Sequence, residues 1–510
     1  MFAKSFGGAT LGVDGLIIDV EVDAAAGLPA FDIVGLPDTA VREAKERVRR
    51  AIRNSGLQLR QENVTINLAP AAIRKDSPGL DLPIAMGLLA AYGLIPAERL
   101  AASLFMAELS LEGECRGVHG VLPMTIAARD CGLRAVFVAA ENANEALLVE
   151  GIEVYALHNL REAVDFFLGE KELVPAVPDT QMVPAQGLED FADVQGQFQA
   201  KRALEIAAAG GHNVLMVGVP GSGKTMLARR MSSILPQLTR EEALEVTKIY
   251  SIAGLLPPGG GLITERPFRS PHHTTSTVAM IGGGSVPRPG EVTLSHHGVL
   301  FLDELPEFSK HTLEVLRQPL EDRAVTIARI HATLTFPSSM ILVCAMNPCP
   351  CGYYGDEAGG HVCDCTPTEI KRYTRKISGP LLDRIDIHIR VPRVRYEELA
   401  ATKRAESSAA IRTRVEAARA RQRERLAPYH LFHNAQMNHA VIRATCPLTP
   451  TVQGLLERAF RKFDLSARSY DRIIKVARTI ADLAGTEDIA PEHLAEAIQL
   501  RSDAQLELGT

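Results

Sequence analysis

The sequence predicts an α/β protein built around a phosphate-binding loop, with a second α/β domain before it and a helical region after it. Three observations predict this. Gly218-Val219-Pro220-Gly221-Ser222-Gly223-Lys224-Thr225 is a complete G-x-x-x-x-G-K-[ST] loop. It lies between Asn213 to Val217, an apolar run that reads as a buried strand, and a helix continuing through Met226 to Met231. Downstream, Val299-Leu300-Phe301-Leu302-Asp303-Glu304 is another buried strand, and two carboxylates emerge at its end.

A chain of 510 residues is too long for one hydrophobic core and implies about three domains. With 46% hydrophobic and 23% charged residues it is globular. A net charge of −6 carries no global basic signature, so any nucleic-acid contact must come from a local patch. Met1 to Gly7 lacks the basic-then-apolar order of a signal peptide. The longest apolar stretch, Leu82 to Ala97, is interrupted by Gly87, Gly93 and Pro96 and falls short of the roughly 18 residues of a membrane span. Eight cysteines, four of them clustered, do not resemble a disulfide framework. The expectation is a cytoplasmic protein without a membrane segment.

In chain order, strands are expected at Leu16 to Val22, Phe31 to Val34 and Val64 to Leu68, with helices at Val41 to Asn54 and Leu80 to Ala91. Thr125 to Cys131, Ala135 to Val138 and Ala143 to Leu148 continue as helix, strand and helix. Within this region Asn67-Leu68-Ala69-Pro70 through Pro78-Gly79-Leu80-Asp81-Leu82-Pro83 resembles the Lon-protease-like domain shared with the RadA recombination proteins. That resemblance implies a serine just after Pro78 and a lysine as its base. Gly79 stands where the serine is expected, and Val118 to Pro123 supplies no lysine. Ser77 then reads as a turn serine and the domain as a non-proteolytic scaffold. These readings divide the chain into residues 1–170, a proline-stiffened linker at 171–187, a core at 188–392 and a helical lid at 393–510.

In the core, the loop glycines Gly218, Gly221 and Gly223, with Pro220 and Ser222, let backbone N–H groups face phosphate oxygens at a helix N-terminus. Lys224 suits the β- and γ-phosphates, and Thr225 and Asp303 suit Mg²⁺. Glu304 suits polarisation of an attacking water. Further segments resemble those of AAA+ ATPases. Phe191 to Gln197 resembles the stretch that wraps the adenine, which implies base contacts from Val194 and Gln195. Asn347, at the end of an apolar run, resembles the sensor that positions water against the γ-phosphate. Leu381-Leu382-Asp383-Arg384 matches the magnesium-chelatase type, which implies that Arg384 is a finger inserted by a neighbouring subunit. Leu465 to Tyr470 resembles the second sensor, with Arg468 folding back over the nucleotide.

This ordered set identifies the chain as a member of the magnesium-chelatase-like AAA+ ATPases of the ComM/YifB branch. Membership implies an AAA+ core with ATP and Mg²⁺ as its ligands and a homo-oligomeric ring, a hexamer. It also implies a DNA helicase or branch-migration motor acting in recombination and natural transformation, on branched or single-stranded DNA. The alternatives are a chelatase-type or protein-remodelling ATPase that does not act on DNA.

Three stretches remain. The glycine-rich insert from Gly259 to Gly290 resembles the channel-facing loop of this clade, and Thr326 to Leu334 reads as a hairpin whose Arg329 and His331 either face a central channel or are solvated loop residues. Cys349, Cys351, Cys363 and Cys365 form two C-x-C pairs, which read either as a tetrahedral Zn²⁺ site or as reduced surface thiols. Lys403, Arg404, Arg412, Arg414, Arg419, Arg421, Arg423 and Arg425 lie on a helical stretch, either a solvated face or a contact for a phosphate backbone.

Overall fold

One mixed sheet and one all-parallel sheet carry the chain, as seen in a computed structural model. The structure describes residues 1–60, 62–73, 75, 77–177, 189–257, 259–284, 287–329, 332–356, 361–394, 405–463 and 466–508.

The first domain contains strands β1 (Phe2–Leu11), β2 (Asp14–Ala25) and β3 (Ala30–Val34), then helix α1 (Thr39–Asn54) and β4 (Asn63–Ala69). Helix α2 (Asp81–Ala91), β5 (Ser103–Met106), α3 (Val121–Asp130), β6 (Ala135–Ala139), β7 (Glu153–Leu157) and α4 (Leu160–Leu168) follow. The strands form one mixed sheet in the order β3-β4-β2-β1-β5-β6-β7. Every residue of α2 is buried, as its apolar run requires, and the buried Asp81 at its start is paired with Arg47 (2.8 Å). It lies close on β1 and β2 because Gly87 has no side chain: a Cβ there would meet Val22 Cγ2 at 2.9 Å.

The second domain begins with α5 (Phe198–Gly210), β8 (Val214–Val217), α6 (Lys224–Ile234) and α7 (Arg240–Ala253). Next come the short edge strand β9 (Phe268–Arg269), β10 (Val299–Leu302), the hairpin β11 (Ala324–Arg329) and β12 (Ala332–Pro337), then β13 (Ile341–Met346) and β14 (Ile387–Arg390). Strands β8, β9, β10, β13 and β14 form an all-parallel sheet in the order β9-β10-β13-β8-β14. All residues of β8, β10 and β13 are buried, the mark of parallel strands covered on both faces.

Helices α8 (Ser408–Leu426), α9 (Ala467–Ala484) and α10 (Pro491–Leu508) close the chain. They share one hydrophobic core with the sheet: Ile411, Val415, Ile473 and Ala477 cluster with Phe191, Leu204, Met216 and Leu227.

Five of the six described arginines of the stretch hold acceptors within the fold, while Arg414, Arg421 and Arg423 are exposed and keep a partly solvated face. Arg412 donates to the Ser233 carbonyl (3.0 Å), and Arg414 pairs with Glu205 (2.5 Å) and Glu406. Arg419 donates to the Ala208 carbonyl (2.9 Å) and Arg421 to that of Asp482 (2.7 Å). Arg425 pairs with the Asp482 carboxylate (2.7 Å). These guanidiniums join α8 to the sheet domain and to α9. Arg423 is exposed, and Lys403 and Arg404 lie outside the described residues.

The first domain rests on α7 and on the hairpin. Ser251 donates to Glu145 (2.5 Å), Lys248 pairs with Asp14 (3.0 Å), and Leu11 and Val13 pack with the cluster that holds Leu334. His331 and the Arg329 side chain lie outside the described residues. Of the expected linker, Ala176 donates its N–H to the Val154 carbonyl (2.7 Å); residues 178–187 lie outside the description.

Candidate active site

The phosphate loop turns out of β8 and into α6 on backbone shapes that suit glycine. Gly223 has φ +90°, and a Cβ at Gly218 would meet the Val391 carbonyl oxygen at 2.3 Å. Lys224 starts the helix and folds its ammonium back onto the loop. It donates to the carbonyls of Gly218 (2.7 Å) and Val219 (3.0 Å) and to Asn347 Oδ1 (3.2 Å). Burial pulls its pKa down, opposed by the Asp303 charge.

Sheet order brings the other groups here. Strand β13 lies between β8 and β10, all parallel, so residues following Val217, Leu302 and Met346 emerge along one edge. Thr225 donates its hydroxyl to Asp303 Oδ2 (2.7 Å), and the Glu304 N–H donates to Asp303 Oδ1 (2.9 Å). The Ser222 hydroxyl is buried without a protein partner. A triphosphate with Mg²⁺ fits this set: a buried ammonium, an orphaned hydroxyl, and a hydroxyl and carboxylate side by side.

Glu304 has φ +51° and an exposed side chain whose Oε2 lies 3.3 Å from His273 Nδ1. The sequence reading took His273 only as part of an insert. Its signal is position: it follows β9, the strand paired with β10.

On the base side, the Val194 side chain is in the core and its carbonyl accepts the Lys201 ammonium, while Gln195 is half-buried. Gln197, which the sequence reading passed over, ties the region to the loop. Its Nε2 donates to the Ser222 (3.1 Å) and Pro392 (2.6 Å) carbonyls from a residue at φ +55°.

Arg384 is elsewhere. Strand β14 pairs with β8 in register Val214↔Ile387 to Val217↔Arg390, so Arg384 precedes the sheet edge opposite the phosphate loop. Its guanidinium, 11% exposed, pairs with Glu321 and donates to the Pro380 carbonyl (2.9 Å). The Arg384 guanidinium beside Glu321 holds that carboxyl below its usual range, with weaker help from the charges of Arg468 and Arg317. Arg472 donates to the Arg384 carbonyl (3.2 Å) and pairs with Asp386, and Arg501 donates to the Ile385 carbonyl (2.9 Å). Two lid helices thus hold the segment that carries Arg384.

In the first domain Ser77 Oγ accepts the Gly79 N–H (3.1 Å), the turn serine expected of it. Lys75, near it in sequence, spends its ammonium on the carbonyls of Gly35, Leu68 and Pro70.

Among the described residues two groups cluster metal-ligating atoms. In one, Glu245 faces His296 (3.1 Å) and His297 (2.7 Å). His296 Nδ1 accepts the Ser339 N–H (2.9 Å), so the neutral ring carries its proton on Nε2, toward Glu245. That nitrogen has no lone pair for a metal, and the group is a hydrogen-bonded brace between α7 and the start of β10. The other group is Cys349, Cys351, Cys363 and Cys365.

A parallel sheet with a phosphate loop, an Asp-Glu strand end and an asparagine on the strand between them defines a P-loop nucleotide-hydrolase site. The family follows from comparison. The sequence model for magnesium chelatase, subunit ChlI, matches residues 190–399, that for subunit ChlI of Mg-chelatase matches 20–142, and that for the ChlI C-terminal region matches 405–501. The chain is 42% identical over 506 residues to the competence protein ComM of Haemophilus influenzae, covering 98% of this chain and 97% of that protein. It is 43% identical over 495 residues to YifB of Escherichia coli, covering 97% and 96%. A shorter match, 27% over 169 residues and 30% of each chain, is to Lon protease 2 of Bacillus subtilis. The chain belongs to the magnesium-chelatase-like AAA+ family of ComM and YifB. Membership implies ATP and Mg²⁺ as ligands and ATPase activity. No described helix is long and apolar enough to cross a membrane.

Proposed function

We propose that the chain is a cytoplasmic, ring-forming DNA motor, a hexamer that hydrolyses ATP between protomers and drives helicase or branch-migration steps in recombination and natural transformation. The observation that carries the ring is the separation of Arg384 from Lys224 on opposite edges of one sheet. One chain holds the phosphate loop but presents its arginine away from it, so a complete site needs a neighbour.

In this reading Lys224 and the loop N–H groups bind the β- and γ-phosphates, and Val194 and Gln195 flank the base. Mg²⁺ at Thr225 and Asp303 supplies positive charge to the phosphates, and Zn²⁺ belongs to the four cysteines. Glu304 takes the proton of the attacking water, and Asn347 orients that water. Arg384 enters the next protomer's site and stabilises developing charge, and Arg468 folds over the nucleotide as the second sensor. Support for a role in natural transformation comes from the name of the relative, the competence protein ComM, and support for DNA as the polymer from the resemblance of the first domain, which rests on the hairpin, to Lon and RadA proteins.

A second reading, a chelatase-type or protein-remodelling ATPase, gains from α8, where Arg412, Arg414, Arg419, Arg421 and Arg425 already hold acceptors within the chain. ATP turnover with and without branched or single-stranded DNA separates the two. The DNA reading expects stimulation that fades with added salt. No response to any nucleic acid leaves the second reading standing.

A further inference from the structure

We propose that Cys349, Cys351, Cys363 and Cys365 hold one Zn²⁺ in a closed four-thiolate centre, and that this centre braces the phosphate loop. The inference deepens the nucleotide-site reading above, but it does not depend on which polymer or partner ATP hydrolysis serves.

The sulfur geometry is the first observation. All four Sγ atoms lie within 4.8 Å of one another. Cys349 Sγ is 3.3 Å from Cys351 Sγ and 3.7 Å from Cys363 Sγ, and Cys351 Sγ is 3.5 Å from Cys363 Sγ. A tetrahedral zinc with Zn–S bonds of about 2.3 Å spaces its sulfurs by roughly 3.8 Å. A disulfide needs about 2.05 Å, and all four cysteines are free. The cluster is therefore too tight for independent surface thiols and too open for disulfides.

The amides around the sulfurs are the second observation. The N–H groups of Gly352 (3.2 Å) and Tyr354 (3.3 Å) donate to Cys349 Sγ, and that of Cys351 donates to Cys365 Sγ (3.4 Å). Such donors stabilise thiolates and orient them as ligands. Four thiolates this close repel unless a cation sits among them, and soft sulfur donors in tetrahedral array select Zn²⁺. With all four positions filled by protein the metal is structural, with no place for a water or a substrate.

The link to the nucleotide site is steric. Cys349 is fully buried and follows Asn347, the side chain that accepts from Lys224. Gly352, at φ +92°, packs onto the phosphate loop: a Cβ there would meet Pro220 Cγ at 2.7 Å and Cδ at 2.8 Å, and Asn347 Cγ at 3.9 Å. The turn that supplies the first two ligands therefore lies tight against Pro220 and is joined to Asn347 through the chain by Pro348. Holding that turn on a metal holds the loop.

Elemental analysis of the full chain, purified without chelator from zinc-supplied cells, should find about one zinc per chain. Cobalt-substituted protein should show the sulfur-to-metal charge-transfer bands of four thiolates. Cys351→Ser and Cys363→Ser should each lose the metal, while Cys365→His should retain it, because three cysteines and a histidine also make a zinc site. Zinc stripped reversibly from the wild-type chain should weaken binding of a non-hydrolysable ATP analogue at least about tenfold, with recovery on zinc return. This stripping experiment carries the test where a serine variant fails to fold. A chain without zinc, or zinc retained in both serine variants, overturns the site. Unchanged analogue affinity after stripping overturns the brace. Metal content and analogue binding are read without hydrolysis or DNA, so they can fail while the motor reading survives, and the reverse.

Discussion

Lys75 in the first domain and Lys224 in the second both bury an ammonium among backbone carbonyls. Lys75 is fully buried, and its three donors go to Gly35 (2.9 Å), Leu68 (2.9 Å) and Pro70, all main-chain oxygens. Lys224 also finds three acceptors, but one is the Asn347 side chain from a different strand. Beside it stand the Thr225–Asp303 pair and the unpartnered Ser222 hydroxyl. Burial lowers both pKa values, and only at Lys224 does a carboxylate, Asp303, oppose the pull. A buried lysine is thus no sign of chemistry by itself. Lys75 staples a turn whose nearby serine is already spent on the Gly79 N–H, whereas Lys224 sits among groups that a phosphate can engage.

The contrast breaks most easily at turnover. Lys224→Ala should lower ATP hydrolysis by about a hundredfold or more, while Lys75→Met leaves the rate of the folded protein within about twofold. Steady-state assays of both variants decide it, and a fully active Lys224→Ala chain would end the contrast.

Next in size is the seam. Arg384→Ala should cost about a hundredfold or more in turnover with analogue affinity nearly unchanged. Mixing Arg384→Ala with Lys224→Ala chains should restore activity, because some seams then pair an intact loop with an intact arginine. Mixed chains as inactive as each variant alone would contradict a role across protomers.

Lys75→Met leaves three carbonyls without their donor, and the expected loss is about 3 kcal/mol in denaturant unfolding. A midpoint equal to wild type would show that the staple contributes nothing.

The smallest effect concerns pH. Burial holds His388 neutral, with its pKa down to about 3, and lowers those of His212 and His433. These histidines bind protons more readily unfolded than folded. Their contribution to stability is therefore complete above about pH 6.5 and declines as pH falls toward 3. Thermal melts across that range should show the decline, and His388→Leu should flatten it. A variant that melts with the same acid dependence would remove His388 from the account.

Strands β8, β10 and β13 and the phosphate loop were legible because buried parallel strands read as unbroken apolar runs with the chemistry at their ends. Strand β1 was not read, since Gly7 and Gly8 dilute its apolar pattern. Strand β7 and helix α4 also went unread. His273 and Gln197 were missed as site neighbours because their partners, Glu304 and the Ser222 and Pro392 carbonyls, are distant in sequence. The acceptors of the α8 arginines were illegible for the same reason: the carbonyls of Ser233, Ala208 and Asp482 reach them only after folding.

The amino-acid order alone determined the domain types, the family and the residue kinds at the nucleotide site, because local spacing sets which side chains a strand end or loop can present. Only the tertiary structure decided that Asn347 meets Lys224, that Arg384 lies at the far edge of the sheet, and that four sulfurs converge beside Pro220. Those facts depend on strand order and on contacts between distant segments, which the local pattern does not encode.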